Sequence, residues 1–223
     1  MSVSAVLFDL DGTLLDTAPD FETAVNGVLE DKKLAPLHVD AIREHIGDGS
    51  AGIIASVFGL GKDHPNFPAL QQQLLQNYRA CLTEKTQIFP NLDTSIEWLD
   101  KHEIPWGIVT NKPSEYADPV VQLLLPSCQV LVCPDHVTHP KPDPEGIVQA
   151  CKKLDIAPAE CLYVGDHIRD IKAGQAAHTK TLAVGWGYIG ADDKPDTWDA
   201  DWCINTTPEM LPLLKTLFNK NSL

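Results

Sequence analysis

The sequence predicts an α/β protein built on a doubly wound parallel sheet, with a small all-helical insertion after the first strand. From about residue 89 onward, short apolar strands alternate with amphipathic helices, the pattern of a parallel sheet covered on both faces. Between the first strand and that region, apolar residues recur only at helical spacing. We therefore expect two domains, a core of residues 1–16 and 83–223 and a helical cap of residues 17–82.

The first elements follow from apolar patterning and helix signals. Residues 3–10 are almost all apolar and predict a short buried strand. Pro19 marks a helix start, and residues 18–31 carry apolar side chains at helical spacing. Residues 34–82 stay helix-like between two glycine-containing breaks, so no strand is predicted there.

The second half of the chain predicts the rest of the sheet. Strands are expected at 105–110, 129–133, 161–164 and 181–184, and helices at 92–102, up to 125, at 145–154, 168–177 and 208–218. In open α/β sheets, ligand sites form beyond the carboxyl ends of the strands. Three of the predicted strands end in polar residues, which is the main physical argument for an active site.

Composition limits the classes of partner. The net charge of −14 speaks against nucleic acid and anionic membrane surfaces, and an anionic substrate would need cations gathered around its site. No apolar stretch approaches the ~20 residues of a membrane span, and the N-terminus lacks a signal-peptide pattern. Six cysteines without C-x-x-C spacing predict reduced thiols. We expect a cytoplasmic protein, monomeric or homodimeric.

The stretch FDLDGTLLD, residues 8–16, places carboxylates at the end of the first predicted strand. Asp9 and Asp11 are two residues apart, so at an extended strand end they share a face. One alternative is a turn in which an Asp side chain caps the backbone. Another is a calcium-binding loop, but that loop needs Gly at its sixth position and Glu at its twelfth. Leu14 and Asp20 occupy those positions, so the calcium loop is excluded.

A second acidic group follows the predicted strand 161–164. Asp166 and Asp170 are four residues apart at a helix start, where capping alone accounts for carboxylates. Together with Asp9 and Asp11, however, they would bring three or four carboxylates to adjacent strand ends. Like charges so close repel one another. A hard divalent cation with oxygen ligands, most plausibly Mg²⁺, would offset that repulsion.

Two further polar groups lie after predicted strands. Thr110 and Asn111 end the predicted strand 105–110. Lys141 lies between Pro140 and Pro142, so a stiff loop holds it. A lone lysine is usually just a solvated surface residue, but one fixed near a strand–helix junction can serve as a point charge toward phosphate.

In this order, the four groups resemble the motifs of the haloacid dehalogenase superfamily of phosphotransferases. The resemblance spans the whole chain and implies a Rossmann-like core with a cap. The matching segments are Asp9-Leu10-Asp11-Gly12-Thr13, Val109-Thr110-Asn111, Lys141-Pro142, and Gly165-Asp166 with Asp170.

The resemblance implies a phosphatase with a covalent mechanism. Asp9 would attack the phosphorus to form an aspartyl-phosphate. Asp11 would protonate the leaving alcohol and then activate the water that hydrolyses the intermediate. The Thr110 hydroxyl, the Asn111 amide and the Lys141 ammonium would bind the phosphoryl oxygens. The expected partner is a small phosphomonoester.

The resemblance also implies a Mg²⁺ site. The ion would be held by the Asp9 carboxylate, the main-chain carbonyl of Asp11 and Asp166, with Asp170 supporting from behind. Asp16 lies outside that set, and we interpret it as a helix cap.

Two positions depart from the family pattern. His167 follows Asp166 where relatives often have Ser or Asp, and we expect an ordinary first-turn residue. His178 replaces a glycine expected after a helix end, at a position that favours positive φ. We expect a small stability cost there.

For the substrate, the resemblance leaves alternatives open. The helical insertion resembles the cap of phosphoglycolate phosphatase-like members, and Gly49 and Ser50 would lie in its substrate loop unless that loop is a plain turn. Residues 133–137 and 187–198 resemble the same subgroup, some members of which resemble N-acetylmuramic acid 6-phosphate phosphatase of cell-wall recycling. A phosphoglycolate phosphatase-type activity is expected first, the amino-sugar acid phosphate second. A β-phosphoglucomutase-like phosphosugar mutase shares the motifs, and a non-catalytic binding protein should have lost Asp9 or Asp11.

Overall fold

The computed structural model describes residues 3 to 219 and contains a six-stranded parallel sheet flanked by helices. The strands of this sheet are β1 (Ala5–Phe8), β4 (Trp106–Val109), β5 (Leu131–Val132), β6 (Cys161–Gly165), β7 (Lys180–Val184) and β8 (Trp202–Ile204). Their order is β5-β4-β1-β6-β7-β8, and every neighbouring pair is parallel. The core helices are α5 (Leu92–Lys101), α6 (Ser114–Leu124), α7 (Glu145–Lys153), α8 (Ile168–Ala176) and α9 (Met210–Asn219). The predicted fold class is confirmed.

Strand β1 lies at the centre of the sheet. Its last residue, Phe8, pairs with Ile108 of β4 on one side and with Val164 of β6 on the other. Because these three strands are parallel and in register, the residues that follow them emerge side by side at one edge.

Both faces of the sheet are buried. Val6 and Phe8 pack into one hydrophobic cluster with Trp106 and residues of α5, α6 and α9, whereas Ala5 and Leu7 pack into another with residues of α7. This alternation is the period of two expected of a strand. A strand buried on both faces reads as a continuous apolar run, as in the sequence here.

Four helices lie between the first strand and the rest of the core. They are α1 (Ala18–Asp31), α2 (Asp40–Ile46), α3 (Gly49–Phe58) and α4 (Phe67–Cys81), called here the cap helices. They bury their own apolar cluster, which includes Val28, Ile53 and Leu74. The chain leaves the core through β2 (Leu15–Asp16) and returns through β3 (Gln87–Ile88), which pair antiparallel. The division into core and cap domains stays a prediction, and these contacts support it.

Some short elements were not predicted. Strands β2, β3 and β8 have two or three residues each, too few to show a period. The predicted strand 129–133 is reduced to two paired residues, and the last helix starts at Met210 after a 3₁₀ turn. His178 adopts φ +60°, as predicted for its position. Within residues 3–219, none of the helices is long and apolar enough to cross a membrane.

Candidate active site

The predicted site residues line one cavity at the edge of the sheet. Its volume is about 460 Å³, and it lies between the ends of β1, β4 and β6 and the cap helices. Sequence-predicted residues that line it are Asp9, Asp11, Gly49, Ser50, Thr110, Asn111, Lys141 and Asp166. The strand ends and the cap helices therefore line the same cavity.

Three carboxylates meet at the floor of this cavity. One oxygen each of Asp9, Asp166 and Asp170 lies within 4.8 Å of the other two. Burial, together with the charges of Asp9 and Asp170, raises the pKa of Asp166 well above its usual range. Burial also raises the pKa of Asp170, against the opposing charge of Lys141. The cluster therefore resists carrying its full negative charge unless a cation balances it.

The Asp166 carboxylate is held in a fixed orientation. It accepts a hydrogen bond from the Thr13 hydroxyl at 2.7 Å and another from the Tyr188 amide at 2.8 Å. Gly12, at φ +84°, and Gly187 let the backbone approach closely, since a Cβ at either would lie 2.2–2.3 Å from an Asp166 oxygen. These contacts show that Asp166 does not cap a helix.

Lys141 lies between the acidic residues. Its Nζ is 2.8 Å from Asp9 Oδ1 and donates to Asp170 Oδ1 at 2.7 Å and to the Tyr163 hydroxyl at 2.8 Å. Although burial alone would lower the pKa of Lys141, the carboxylates of Asp170 and Asp9 raise it overall. A buried ammonium is therefore held in its charged form beside Asp9.

The cluster fits a hard divalent cation. Asp9 Oδ1 is buried, yet within the described residues it accepts no hydrogen bond of good geometry, although Lys141 Nζ is close. The available donors are carboxylate oxygens, the ligands that Mg²⁺ prefers. Asp170 belongs to this cluster, but its two oxygens already accept from Lys141 Nζ and from the His167 amide, and the supporting position that the resemblance implies for it stays a prediction.

The Asp11 side chain lies outside this cluster. Its carboxylate accepts from the Thr17 hydroxyl at 2.7 Å and from Lys112 Nζ at 2.9 and 3.2 Å. Lys112 also donates to the Tyr78 hydroxyl of α4 at 2.7 Å, and only 4% of its side chain is exposed. Lys112 and Tyr78 were missed by sequence reasoning. The available signal was a cation directly after Thr110-Asn111 at a strand end.

Asn111 and Thr110 differ in their contacts. Asn111 donates from Nδ2 to the Lys141 carbonyl at 2.9 Å and accepts from the Lys141 amide at 3.1 Å. Both polar atoms of Asn111 thus hold the Lys141 loop, and binding of phosphoryl oxygens by its amide stays a prediction. The buried Thr110 hydroxyl accepts from the Lys112 amide at 3.2 Å and keeps its own proton to donate.

At the start of α8, side chains and backbone amides exchange hydrogen bonds that close the helix N-terminus, and Arg169 contacts the cap helices. His167 Nδ1 accepts from the Arg169 amide, and the His167 amide donates to Asp170 Oδ2, both at 3.1 Å. Burial lowers the pKa of His167 to about 4, so the ring is neutral at physiological pH. The Arg169 guanidinium donates to the carbonyl of Gly47 and lies 3.8 Å from Asp48.

The outer half of the cavity is largely apolar and aromatic. Phe21 and Tyr78 stack with centroids 3.9 Å apart, and Tyr116 tilts against Tyr78. Ser50 Oγ accepts from Gln71 at 2.9 Å. The lining residues from this half include Phe21, Ile46, Ala51, Leu75, Tyr78 and Tyr116.

Comparison with known proteins agrees with this geometry. The chain matches the haloacid dehalogenase-like hydrolase family over residues 6–184. It is 39% identical over 216 residues to the N-acetylmuramic acid 6-phosphate phosphatase of Pseudomonas aeruginosa, with 96% of each chain covered. It is 37% identical over 212 residues to the phosphoglycolate phosphatase of Xanthomonas campestris pv. campestris, which covers 92% of this chain and 94% of the relative.

The fold is also found in a solved structure. The crystal structure of a predicted phosphoglycolate phosphatase from Haemophilus somnus matches 96% of this chain and 99% of its own, with a TM-score of 0.82 and 22% identity. The resemblance inferred from the four motifs is confirmed. The chain is therefore a phosphatase that belongs to the haloacid dehalogenase-like hydrolase family.

Proposed function

We propose that this phosphatase is a Mg²⁺-dependent phosphomonoester hydrolase that acts through an aspartyl-phosphate on Asp9. An Asp9 oxygen attacks the phosphorus while the bond from phosphorus to the leaving alcohol oxygen breaks and Asp11 gives that oxygen a proton. Water then attacks the phosphorus of the aspartyl-phosphate and gives its proton to Asp11. Inorganic phosphate leaves and Asp9 is regenerated.

The contacts of the described residues support these roles. The observation that carries the proposal is the cluster of Asp9, Asp166 and Asp170 around Lys141. Lys141 and the free Thr110 proton can bind phosphoryl oxygens next to Asp9. Held by Asp9, Asp166 and the main-chain carbonyl of Asp11, with Asp170 supporting from behind, a divalent cation would neutralise charge on the phosphoryl group.

The cavity supports a substrate larger than 2-phosphoglycolate. Its volume of about 460 Å³ falls within the ~300–1,000 Å³ typical of pockets for drug-sized ligands. A two-carbon acid phosphate would fill only a small part of that volume and would leave the aromatic side chains of the lining in contact with water. We therefore propose an amino-sugar acid phosphate, N-acetylmuramic acid 6-phosphate, although the sequence alone favoured phosphoglycolate. The 39% identity to a relative of that name supports this choice.

2-Phosphoglycolate stays the second candidate, because relatives with 37% identity carry that name. The two substrates share a carboxylate and a phosphate. They differ in the sugar ring and the acetamido group, which would contact the apolar and aromatic lining of the cavity.

Phosphate release by the purified protein tests the proposal. The panel contains N-acetylmuramic acid 6-phosphate, 2-phosphoglycolate and glucose 1-phosphate with its bisphosphate, each with Mg²⁺ and with EDTA. We expect the highest kcat/KM on the amino-sugar acid and loss of turnover in EDTA that added Mg²⁺ restores. Preference for 2-phosphoglycolate would overturn the substrate assignment alone. Full turnover in EDTA would overturn metal dependence, and sugar-phosphate isomerisation primed by the bisphosphate would indicate a mutase.

A further inference from the structure

The substrates proposed above carry a second anion, a carboxylate, and the cavity must neutralise it. Three Lys or Arg side chains lie among its described lining residues. Lys141 is held between Asp9 and Asp170, and Lys112 is held by Asp11. Both of these cations already have carboxylate partners within 3 Å. The third cation, Arg169, does not.

Arg169 is weakly paired. Its nearest carboxylate is that of Asp48, at 3.8 Å, and 65% of the Asp48 side chain is exposed. Ion pairs with such exposed partners contribute little. The guanidinium has several N–H donors in a planar fork, and among the described residues it donates a hydrogen bond to the Gly47 carbonyl. Most of its donor capacity is therefore available to a ligand.

The position of Arg169 suits ligand recognition. It stands on the first turn of α8, three residues after Asp166, and its side chain lines the cavity with 24% of its surface exposed. Gly47, which has no side chain, contacts it from the cap, so the guanidinium is placed at the seam between core and cap. A carboxylate pairs with this fork through two parallel hydrogen bonds, a geometry that a lysine ammonium does not offer.

We infer that Arg169 binds the carboxylate of the substrate and thereby selects phosphorylated acids over phosphate esters that lack a carboxylate. This inference rests on the proposed function, because it assumes a phosphorylated substrate whose phosphate lies at Asp9. The shared chemistry is a carboxylate, which the lactyl group of N-acetylmuramic acid 6-phosphate or the glycolate part of 2-phosphoglycolate would supply.

Two matched substrate pairs test the inference. N-acetylmuramic acid 6-phosphate is compared with N-acetylglucosamine 6-phosphate, which lacks the lactyl ether that carries the carboxylate, and 2-phosphoglycolate with ethyl phosphate, which has a methyl group in place of the carboxylate. The enzymes are the wild type, Arg169→Gln and Arg169→Lys, with Lys180→Met as a control. Lys180 pairs with Asp201 at 2.8 Å and does not line the cavity.

We expect Arg169→Gln to lower kcat/KM on the acid member by about ten- to a hundredfold, with little change on the member that lacks the carboxylate. On the acid member, the kcat/KM of Arg169→Lys should lie between those of the wild type and Arg169→Gln. Lys180→Met should match the wild type on both members. The pair that shows this loss identifies the source of the carboxylate.

Several results would overturn the inference. An equal loss on both members of a pair would mean that Arg169 supports the cap loop and not the substrate. No loss on either member, or a wild type without preference for the acid, would also contradict it while leaving the phosphatase assignment intact. A wild type that hydrolyses none of the four esters would instead refute the proposed substrates, and the inference with them.

Discussion

At the residue scale, the site places one buried lysine beside each of its two working carboxylates. Lys141 contacts Asp9, the proposed nucleophile, and Lys112 contacts Asp11, the proposed acid and base. An isolated buried ion is costly, so the pairing with Lys141 stabilises the charged form of Asp9, and the pairing with Lys112 fixes the orientation of Asp11. The two lysines come from loops after different strands, yet both reach the end of β1.

Asp9→Asn and Asp11→Asn should each lower phosphatase kcat by more than about a thousandfold. The first change removes the nucleophilic oxygen's charge, and the second removes the group that transfers the proton. Steady-state phosphate release on the preferred ester measures both, with circular dichroism to verify folding. Activity within tenfold of the wild type in either variant would refute the role assigned to that residue.

Lys112→Met should lower kcat/KM by about ten- to a hundredfold, because Asp11 loses the contact that fixes it against Tyr78 of α4. Lys112→Arg should recover part of the loss, since it keeps a cation there. Lys180→Met is the matched control, as it removes a Lys–Asp pair distant from the cavity. Unchanged kinetics in Lys112→Met would show that Asp11 is positioned without it.

At the element scale, the junction between core and cap is fixed by two buried groups. Tyr188 accepts hydrogen bonds from the Thr17 and Ala18 amides at 2.7 and 2.9 Å, while its own amide donates to Asp166. It thereby connects the start of α1 to the acidic cluster. On the first turn of α1, the fully buried Asp20 carboxylate accepts from the Lys85 amide, in the segment that returns to the core.

Asp20→Ala should reduce the free energy of unfolding by about 2–4 kcal/mol. The carboxylate accepts from the amides of Thr83, Lys85 and Thr86, and alanine would leave those donors without it. Urea unfolding measures the change. Asp31→Ala, at the exposed end of the same helix, is the control and should stay within about 0.5 kcal/mol. Equal effects of the two substitutions would contradict this account.

At the scale of the whole molecule, a chain with a net charge of −14 places three of its 17 lysine and arginine side chains among the described lining residues of one acidic cavity. The acidic cluster at its floor opposes folding through mutual repulsion unless a cation is bound. Metal binding and stability should therefore be linked, because a ligand that binds only the folded state stabilises it.

Mg²⁺ should raise the melting temperature of the wild type by several degrees, and EDTA should reverse the shift. Asp166→Asn keeps the shape of the side chain but removes its charge, so this variant should show no Mg²⁺ shift. In EDTA its melting temperature should stay within a few degrees of that of the wild type, since removal of a buried charge is opposed by the loss of one of the two hydrogen bonds that the Asp166 carboxylate accepts. A full Mg²⁺ shift in the variant would exclude Asp166 as a ligand.

The sequence predicts the site residues at the strand ends better than the contacts between the core and the cap helices. Asp9, Asp166 and Lys141 could be found because the alternation of strands and helices indicates a parallel sheet, and parallel strands place their ends at one edge. The contact of Lys112 with Tyr78, or of Arg169 with Gly47, joins residues far apart in the chain and depends on how the cap helices pack on the core. Strand β8 was missed because three residues carry no period.

The central claim is that Asp9 becomes phosphorylated during turnover. The wild type is mixed with substrate and Mg²⁺, quenched in acid within milliseconds to seconds, reduced with borohydride and analysed by peptide mass spectrometry. An aspartyl-phosphate is reduced to the corresponding alcohol, so we predict that the peptide containing Asp9, and no other, carries the mass of a homoserine at that position. Phosphate release with an unmodified Asp9, or reduction at another aspartate, would contradict the account.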